Sequence, residues 1–74
     1  MARVSLKPVP SNGGPMFNVT RGYEILGTIH QPVTNGPWRV FLPDSAGNPT
    51  VRLPDEHVDR ADAVDAVVDA HAKR

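Results

Sequence analysis

Trp38-Arg39-Val40-Phe41-Leu42 and Thr50-Val51-Arg52-Leu53 flank a turn-rich segment, Pro43-Asp44-Ser45-Ala46-Gly47-Asn48-Pro49, and this stretch decides the fold. Apolar and polar side chains alternate in both flanking runs, and the residues between them favour turns. The stretch therefore predicts a β-hairpin. From Asp59 to Arg74 the apolar spacing changes to that of a helix, so we expect a helix packed on the hairpin.

The two-residue period of the hairpin assigns its side chains to two faces. The predicted core face holds Trp38, Val40, Leu42, Val51 and Leu53. The predicted exposed face holds Arg39, Phe41, Thr50 and Arg52.

The C-terminal segment has the signals of an amphipathic helix. Asp59 is a favourable N-cap, and Asp62 can return the bond as in a capping box. Lys73 and Arg74 suit the negative end of the helix dipole. With about 100° per residue, the predicted core stripe consists of Ala61, Val64, Val68 and Ala72, bordered by Val67 and His71. The charged side forms an acidic ridge of Asp62, Asp65 and Asp69.

Upstream of the hairpin, three runs are typical of strands. Residues 3–7 alternate polar and apolar and precede two prolines, which indicates a short edge strand. Residues 16–20 and 23–30 are rich in β-branched and aromatic side chains. The second of these runs places Tyr23, Ile25 and Ile29 on the core face.

The predicted fold is therefore α+β, an antiparallel meander of three to five strands with one C-terminal helix packed on one face. Residues 1–74 are expected to form a single small domain, in which residues 1–15 are either an edge strand or a flexible arm.

Length and composition limit the class of protein. A chain of 74 residues has a thin core, because such domains bury only about 60% of the surface that the unfolded chain exposes. The net charge is zero, but residues 1–54 carry +3 and residues 55–74 carry −3. The chain has no cysteine, no signal-peptide-like start and no apolar run long enough for a membrane span, so we expect a cytoplasmic protein without membrane attachment. Its residue usage is typical of a GC-rich genome, such as that of an actinobacterium or its phages.

The side chains capable of chemistry do not form a catalytic pattern. His30, His57 and His71 lack the spacing of metal ligands, and the serines lie in edge or turn contexts that account for them. The glycines form no phosphate-binding loop in front of a helix. We therefore expect a protein that is not an enzyme, with no metal, no cofactor and no small-molecule substrate.

The predicted exposed sheet face is the strongest candidate for a binding surface. Arg39 and Arg52 flank Phe41 there, and arginine with an aromatic residue is a combination found at protein-binding hot spots. We expect a small accessory protein that binds a protein partner, or a second copy of itself, through this face or an edge strand. As an alternative, the arginine stems only keep an uncovered face soluble. The acidic ridge likewise either docks a basic partner or is an ordinary solvated helix face.

The predicted order strand, strand, strand, helix is accompanied by short motifs. They are Trp38-Arg39-Val40-Phe41, Gly47, Val51-Arg52-Leu53 and Arg60-Ala61-Asp62-Ala63-Val64. Over about fifty residues from Tyr23 on, this arrangement resembles the three-stranded DNA-binding domain of phage tyrosine integrases and plant ethylene-response factors. The resemblance implies a sheet that lies in the DNA major groove, with Arg21, Arg39 and Arg52 at the contacting positions. Sheet-mediated DNA binding is therefore the alternative function.

Overall fold

A computed structural model describes residues 4–73 of the chain. Within that range the elements are, in order, β1 (Ser5–Pro8), β2 (Met16–Arg21), β3 (Glu24–His30), β4 (Trp38–Leu42), β5 (Val51–His57) and α1 (Arg60–Ala72). Each strand pairs antiparallel with the next, and α1 packs on one face of the five-stranded sheet. The predicted α+β meander with one C-terminal helix is therefore confirmed. Residues 1–3 of the predicted N-terminal segment and Arg74 at the predicted helix end lie outside the described residues.

The core lies between the three middle strands and α1. Its buried apolar residues are Val19, Leu26, Ile29, Trp38, Val40, Ala63 and Val67. The rings of Phe17 and Trp38 lie 6.1 Å apart, and the Arg60 guanidinium stands 5.8 Å above Phe17. Each fully buried aliphatic side chain stabilises the fold by roughly 1.5 to 3 kcal/mol, so a few residues of the sheet hold the helix in place.

A β-bulge in β3 changes which side chains reach the core. Val19 pairs with Gly27 and Thr20 pairs with Ile25, which leaves Leu26 without a partner on β2. The extra residue shifts the alternation by one position, so Leu26 is buried while Ile25 is half exposed and Tyr23 is fully exposed. The prediction that Tyr23 and Ile25 face the core was therefore wrong, whereas Ile29, beyond the bulge, is buried as predicted.

The helix is rotated from its predicted orientation. Ala63 and Val67 are fully buried, whereas Ala61 and Ala72 of the predicted core stripe are exposed. Val64 and Val68 are only partly buried, at the border of the core. The observed rotation turns the acidic ridge away from the sheet, which avoids the large cost of taking carboxylates out of water.

The predicted capping box is also absent at the start of α1. Asp59 occupies the N-cap position with extended backbone angles, but its side chain makes no capping hydrogen bond. Its carbonyl oxygen instead accepts the first helical bond, from the Ala63 amide at 3.2 Å.

The strand β5 is longer and more irregular than predicted. It continues through Pro54 to His57, because Leu53, Pro54 and Asp55 bulge opposite the single residue Val40. Pro54 has no N–H to donate to a neighbouring strand. It is tolerated here because a bulge in an edge strand needs no such hydrogen bond. Leu53 packs against the core as predicted, but Val51 is about half exposed, so its placement in the core was wrong.

The helix α1 is too short and too polar to cross a membrane, and it is the only helix within residues 4–73.

Candidate functional site

The face of the sheet that α1 leaves uncovered, here called the open face, carries two rows of side chains across the strands. The first row follows the cross-strand pairs through Lys7, Asn18, Thr28, Phe41 and Arg52. The second row, one step along the strands, holds Met16, His30, Arg39 and Glu56. The structure therefore brings Arg39, Phe41 and Arg52 of the predicted surface together on one face.

Both arginines of this group are held by one carboxylate. Arg39 Nε donates to Glu56 Oε2 at 2.9 Å, and Arg52 Nη2 lies 3.3 Å from the same oxygen. All three side chains are more than a third exposed, so each pair contributes little to stability. The shared carboxylate instead fixes the positions of the two guanidinium groups, which stay beside Phe41 with one negative charge between them.

A groove of about 210 Å³ opens on the open face, and one of its lining residues, Thr28, is the cross-strand partner of Phe41. It is lined by Val9, Met16, Asn18, Ile25, Gly27, Thr28, Pro43, Gly47 and Pro49. Most of this lining is apolar, and its two polar side chains bond to each other, since the Thr28 hydroxyl donates to Asn18 Oδ1 at 2.8 Å. The groove can therefore receive an apolar group without leaving those two side chains unpaired.

One wall of the groove is the loop of residues 43–50, which Asp44 organises. Its Oδ1 accepts hydrogen bonds from the amides of Ala46 and Asn48, and its Oδ2 accepts one from the Thr50 hydroxyl, each at 2.9 Å. The pKa of the Asp44 carboxyl is held below its usual range, mainly by the hydrogen bond from the Asn48 amide and next by that from the Thr50 hydroxyl. Both bonds favour the charged form. Three residues of the loop thus donate to one carboxylate, which shapes the groove before any ligand binds.

His30 orders the opposite end of the open face. The Gly13 carbonyl accepts a hydrogen bond from His30 Nε2 at 2.8 Å, and this ties the loop between β1 and β2 to β3. His30 therefore has a structural role, which is to hold this loop against β3.

Arg21 lies apart from the other predicted binding residues. Its side chain is on the face that α1 covers, at the turn between β2 and β3, where it lies 3.5 Å from Glu24. Glu24 in turn lies 3.6 Å from His71 on the helix. A partner on the open face would not reach Arg21.

Two charged residues of the open face were missed by the sequence analysis. Lys7 was not considered, although its alternation with Leu6 in the edge strand could have placed it there. Glu56 was not placed in the predicted sheet either, because the second hairpin strand was expected to end at Leu53. No sequence signal predicts its position, because it depends on the three-residue bulge in β5.

The acidic ridge is exposed on the outer side of α1. Asp62, Asp65 and Asp69 are all exposed, and Lys73 Nζ lies 3.1 Å from Asp69 Oδ2. The ridge and the open face therefore lie on opposite sides of the molecule, with the sheet and the helix between them.

The open face combines an apolar groove with cationic side chains. Within residues 4–73, no three histidine or acidic side chains converge as metal ligands. The open face offers instead an apolar groove beside an aromatic ring, with Lys7, Arg39 and Arg52 as cations. No family model matches the chain, and the searches of curated proteins and of solved structures returned no match.

Proposed function

We propose that this chain is a small, non-catalytic interaction protein that binds a protein partner through the open face. One observation supports this most directly, namely the apolar groove beside the half-buried ring of Phe41 and its two flanking arginines. The residues that dominate the binding energy of protein interfaces are often aromatic or arginine side chains near a central apolar pocket. The absence of cysteine favours a reducing compartment, so the proposal places this interaction in the cytoplasm.

The face is a better binding surface than either edge of the sheet. The edge strand β1 ends with Pro8, and the other edge strand, β5, contains Pro54 within its bulge. Proline has no N–H to donate, and a bulge interrupts the regular row of hydrogen bonds that an added strand needs. The prolines and the bulge therefore both disfavour edge-to-edge pairing. We therefore assign the partner to the open face.

Affinity capture with matched variants tests this proposal. Immobilised wild-type protein, Phe41→Ala and Asp65→Asn are compared by quantitative mass spectrometry of the bound proteins from the cells that carry the chain. A partner of the open face is lost with Phe41→Ala and retained with Asp65→Asn, since Asp65 is on the far side of the molecule. Equal recovery by all three, with both variants folded, would remove the open face from the interaction.

Sheet-mediated DNA binding is the second candidate, and one observation favours it. Lys7, Arg39 and Arg52 all lie on the uncovered face, while the acidic ridge lies on the opposite side. Glu56 works against it, because its carboxylate already occupies both arginines. Binding to duplex DNA depends on phosphate contacts and weakens steeply with salt, so a titration at two salt concentrations is the test. No salt-dependent binding at micromolar protein excludes this candidate.

A further inference from the structure

The outer side of α1 carries the chemistry that the open face is suited to bind. The acidic ridge presents three exposed carboxylates, and Val58, two residues before the start of the helix, is 85% exposed. The open face has the complementary features, an apolar groove and three cations with one carboxylate among them. The ridge carries three carboxylates with Lys73 beside Asp69, a charge of −2, and the exposed Val58 precedes it in the chain. The open face carries three cations with Glu56, a charge of +2, and an apolar groove.

We propose that the open face binds the acidic ridge of a second copy of this chain, with Val58 of that copy in the groove. This inference rests on the proposed function and names the partner. The contact is head to tail, because the two surfaces differ and lie on opposite sides of one molecule.

The dimensions of the two surfaces are compatible. Asp62 and Asp69 are separated by seven residues, which is about 10 Å along a helix at 1.5 Å per residue. Arg39 and Arg52 lie on neighbouring strands two residues out of register, so their backbones are about 8 Å apart for strands spaced about 4.8 Å. The long side chains of the arginines can close the remaining distance to two carboxylates of the ridge.

A head-to-tail contact leaves one free surface at each end of every dimer. Further copies can therefore add, and the product is an open chain of molecules unless the rotation between copies closes a ring. The attraction relies on exposed charges, each of which contributes little, so the assembly is weak and sensitive to salt.

Sedimentation velocity of the purified chain measures this association directly. The weight-average sedimentation coefficient is expected to rise with protein concentration at about 10 mM salt, where the Debye length is about 30 Å. It is expected to return toward the monomer value at about 1 M salt, where the Debye length is about 3 Å. A monomer at low salt over the whole concentration range would overturn the inference.

A charge swap tests which surfaces meet. The open-face variant is Lys7→Glu with Arg52→Glu, and the ridge variant is Asp65→Lys with Asp69→Lys. Each variant alone is expected to self-associate about tenfold more weakly than wild type, because like charges then face each other. An equimolar mixture of the two is expected to associate again, since the basic ridge of one meets the acidic open face of the other.

Two controls separate this contact from general effects of charge and from misfolding. Arg21→Glu with Arg60→Glu changes the net charge as much as the open-face variant does, but on neither proposed surface. This control is expected to self-associate as strongly as wild type. Val58→Ser removes only the apolar side chain and is expected to weaken association without changing the thermal melting curve, because Val58 is exposed. Loss of association in the Arg21 and Arg60 control, or no recovery in the mixture of folded variants, would contradict the head-to-tail contact. If the purified chain stays monomeric while Phe41→Ala still abolishes capture of a different protein, only the identity of the partner is wrong.

Discussion

At the scale of single residues, Gly27 shows how closely the helix and the sheet approach each other. A Cβ at this position would lie 2.8 Å from Val67 Cγ1 and 2.9 Å from the Phe41 carbonyl oxygen. Both neighbours are fixed, one by burial in the core and the other by the backbone of β4. A side chain at position 27 therefore cannot be added without moving the helix away from the sheet.

Gly27→Ala is expected to lower the free energy of unfolding by about 1 to 3 kcal/mol, as overpacked cores do. Urea denaturation followed by circular dichroism gives this value. Gly13→Ala is the matched control, because a Cβ there makes only ordinary contacts with the His30 ring, at 3.6 Å or more. Equal stability of Gly27→Ala and wild type would show that α1 packs less closely than described.

Asp44 makes the stability of the 43–50 loop depend on pH. Its pKa is lowered in the folded protein, so its contribution is present above the unfolded pKa of about 3.9 and is lost as the pH falls through the folded value. Thr50→Val removes one of the donors that favour the carboxylate, which brings the folded pKa closer to the unfolded one. The melting temperature of Thr50→Val should therefore fall less than that of wild type between pH 5 and pH 3. Ser45→Ala, in the same loop, is the control and should follow wild type.

At the scale of elements, the strands were more predictable than the side chains that face the core. Alternation in β4 placed Trp38 and Val40 in the core and Arg39 and Phe41 away from it, because a regular strand keeps the two-residue period. In β3 the same rule failed at Leu26, since a bulge is a property of two paired strands and leaves no periodic signal in one of them. The groove was unpredictable for a related reason, because its lining comes from two strands and two loops.

The rotation of α1 could have been predicted from charge. Valine and alanine residues occur on several sides of this helix, so apolar spacing alone gives more than one possible stripe. The acidic ridge occupies one side only, and the side opposite to it contains Val67. The position of the aspartates was thus a stronger signal than that of the small apolar residues.

Substitution of two alanines by leucine tests this rotation. Ala63→Leu is expected to destabilise the protein by about 1 to 3 kcal/mol, because Ala63 is fully buried against the sheet. Ala61→Leu, two residues earlier on an exposed side, is expected to stay within about 0.5 kcal/mol of wild type. Thermal denaturation of both variants distinguishes the observed rotation from the predicted one, for which the order of the two effects would be reversed.

At the scale of the whole molecule, charge is separated between two sides of a thin domain. The open face carries Lys7, Arg39 and Arg52 with Glu56, and the outer side of the helix carries the acidic ridge. The middle layer is the small core between them. The zero net charge therefore conceals two surfaces with opposite preferences for a partner.

Glu56→Gln is expected to strengthen binding at the open face. The substitution removes the carboxylate that occupies Arg39 and Arg52, and its cost in stability should not exceed about 1 kcal/mol because the pairs are exposed. Self-association by sedimentation should become severalfold tighter at low salt and stay unchanged at high salt. Glu24→Gln, which removes a carboxylate on the covered face, is the control, and an equal effect of both substitutions would contradict a specific role of Glu56.

Trp38 gives the protein a built-in optical probe of its own packing. It is the only tryptophan of the chain, it is 8% exposed, and its ring lies beside Phe17 at the core. Release of the helix from the sheet would transfer this indole from an apolar environment to water and shift its fluorescence emission to longer wavelengths. Spectra of the unlabelled protein can therefore report how often α1 detaches, separately from any event on the open face.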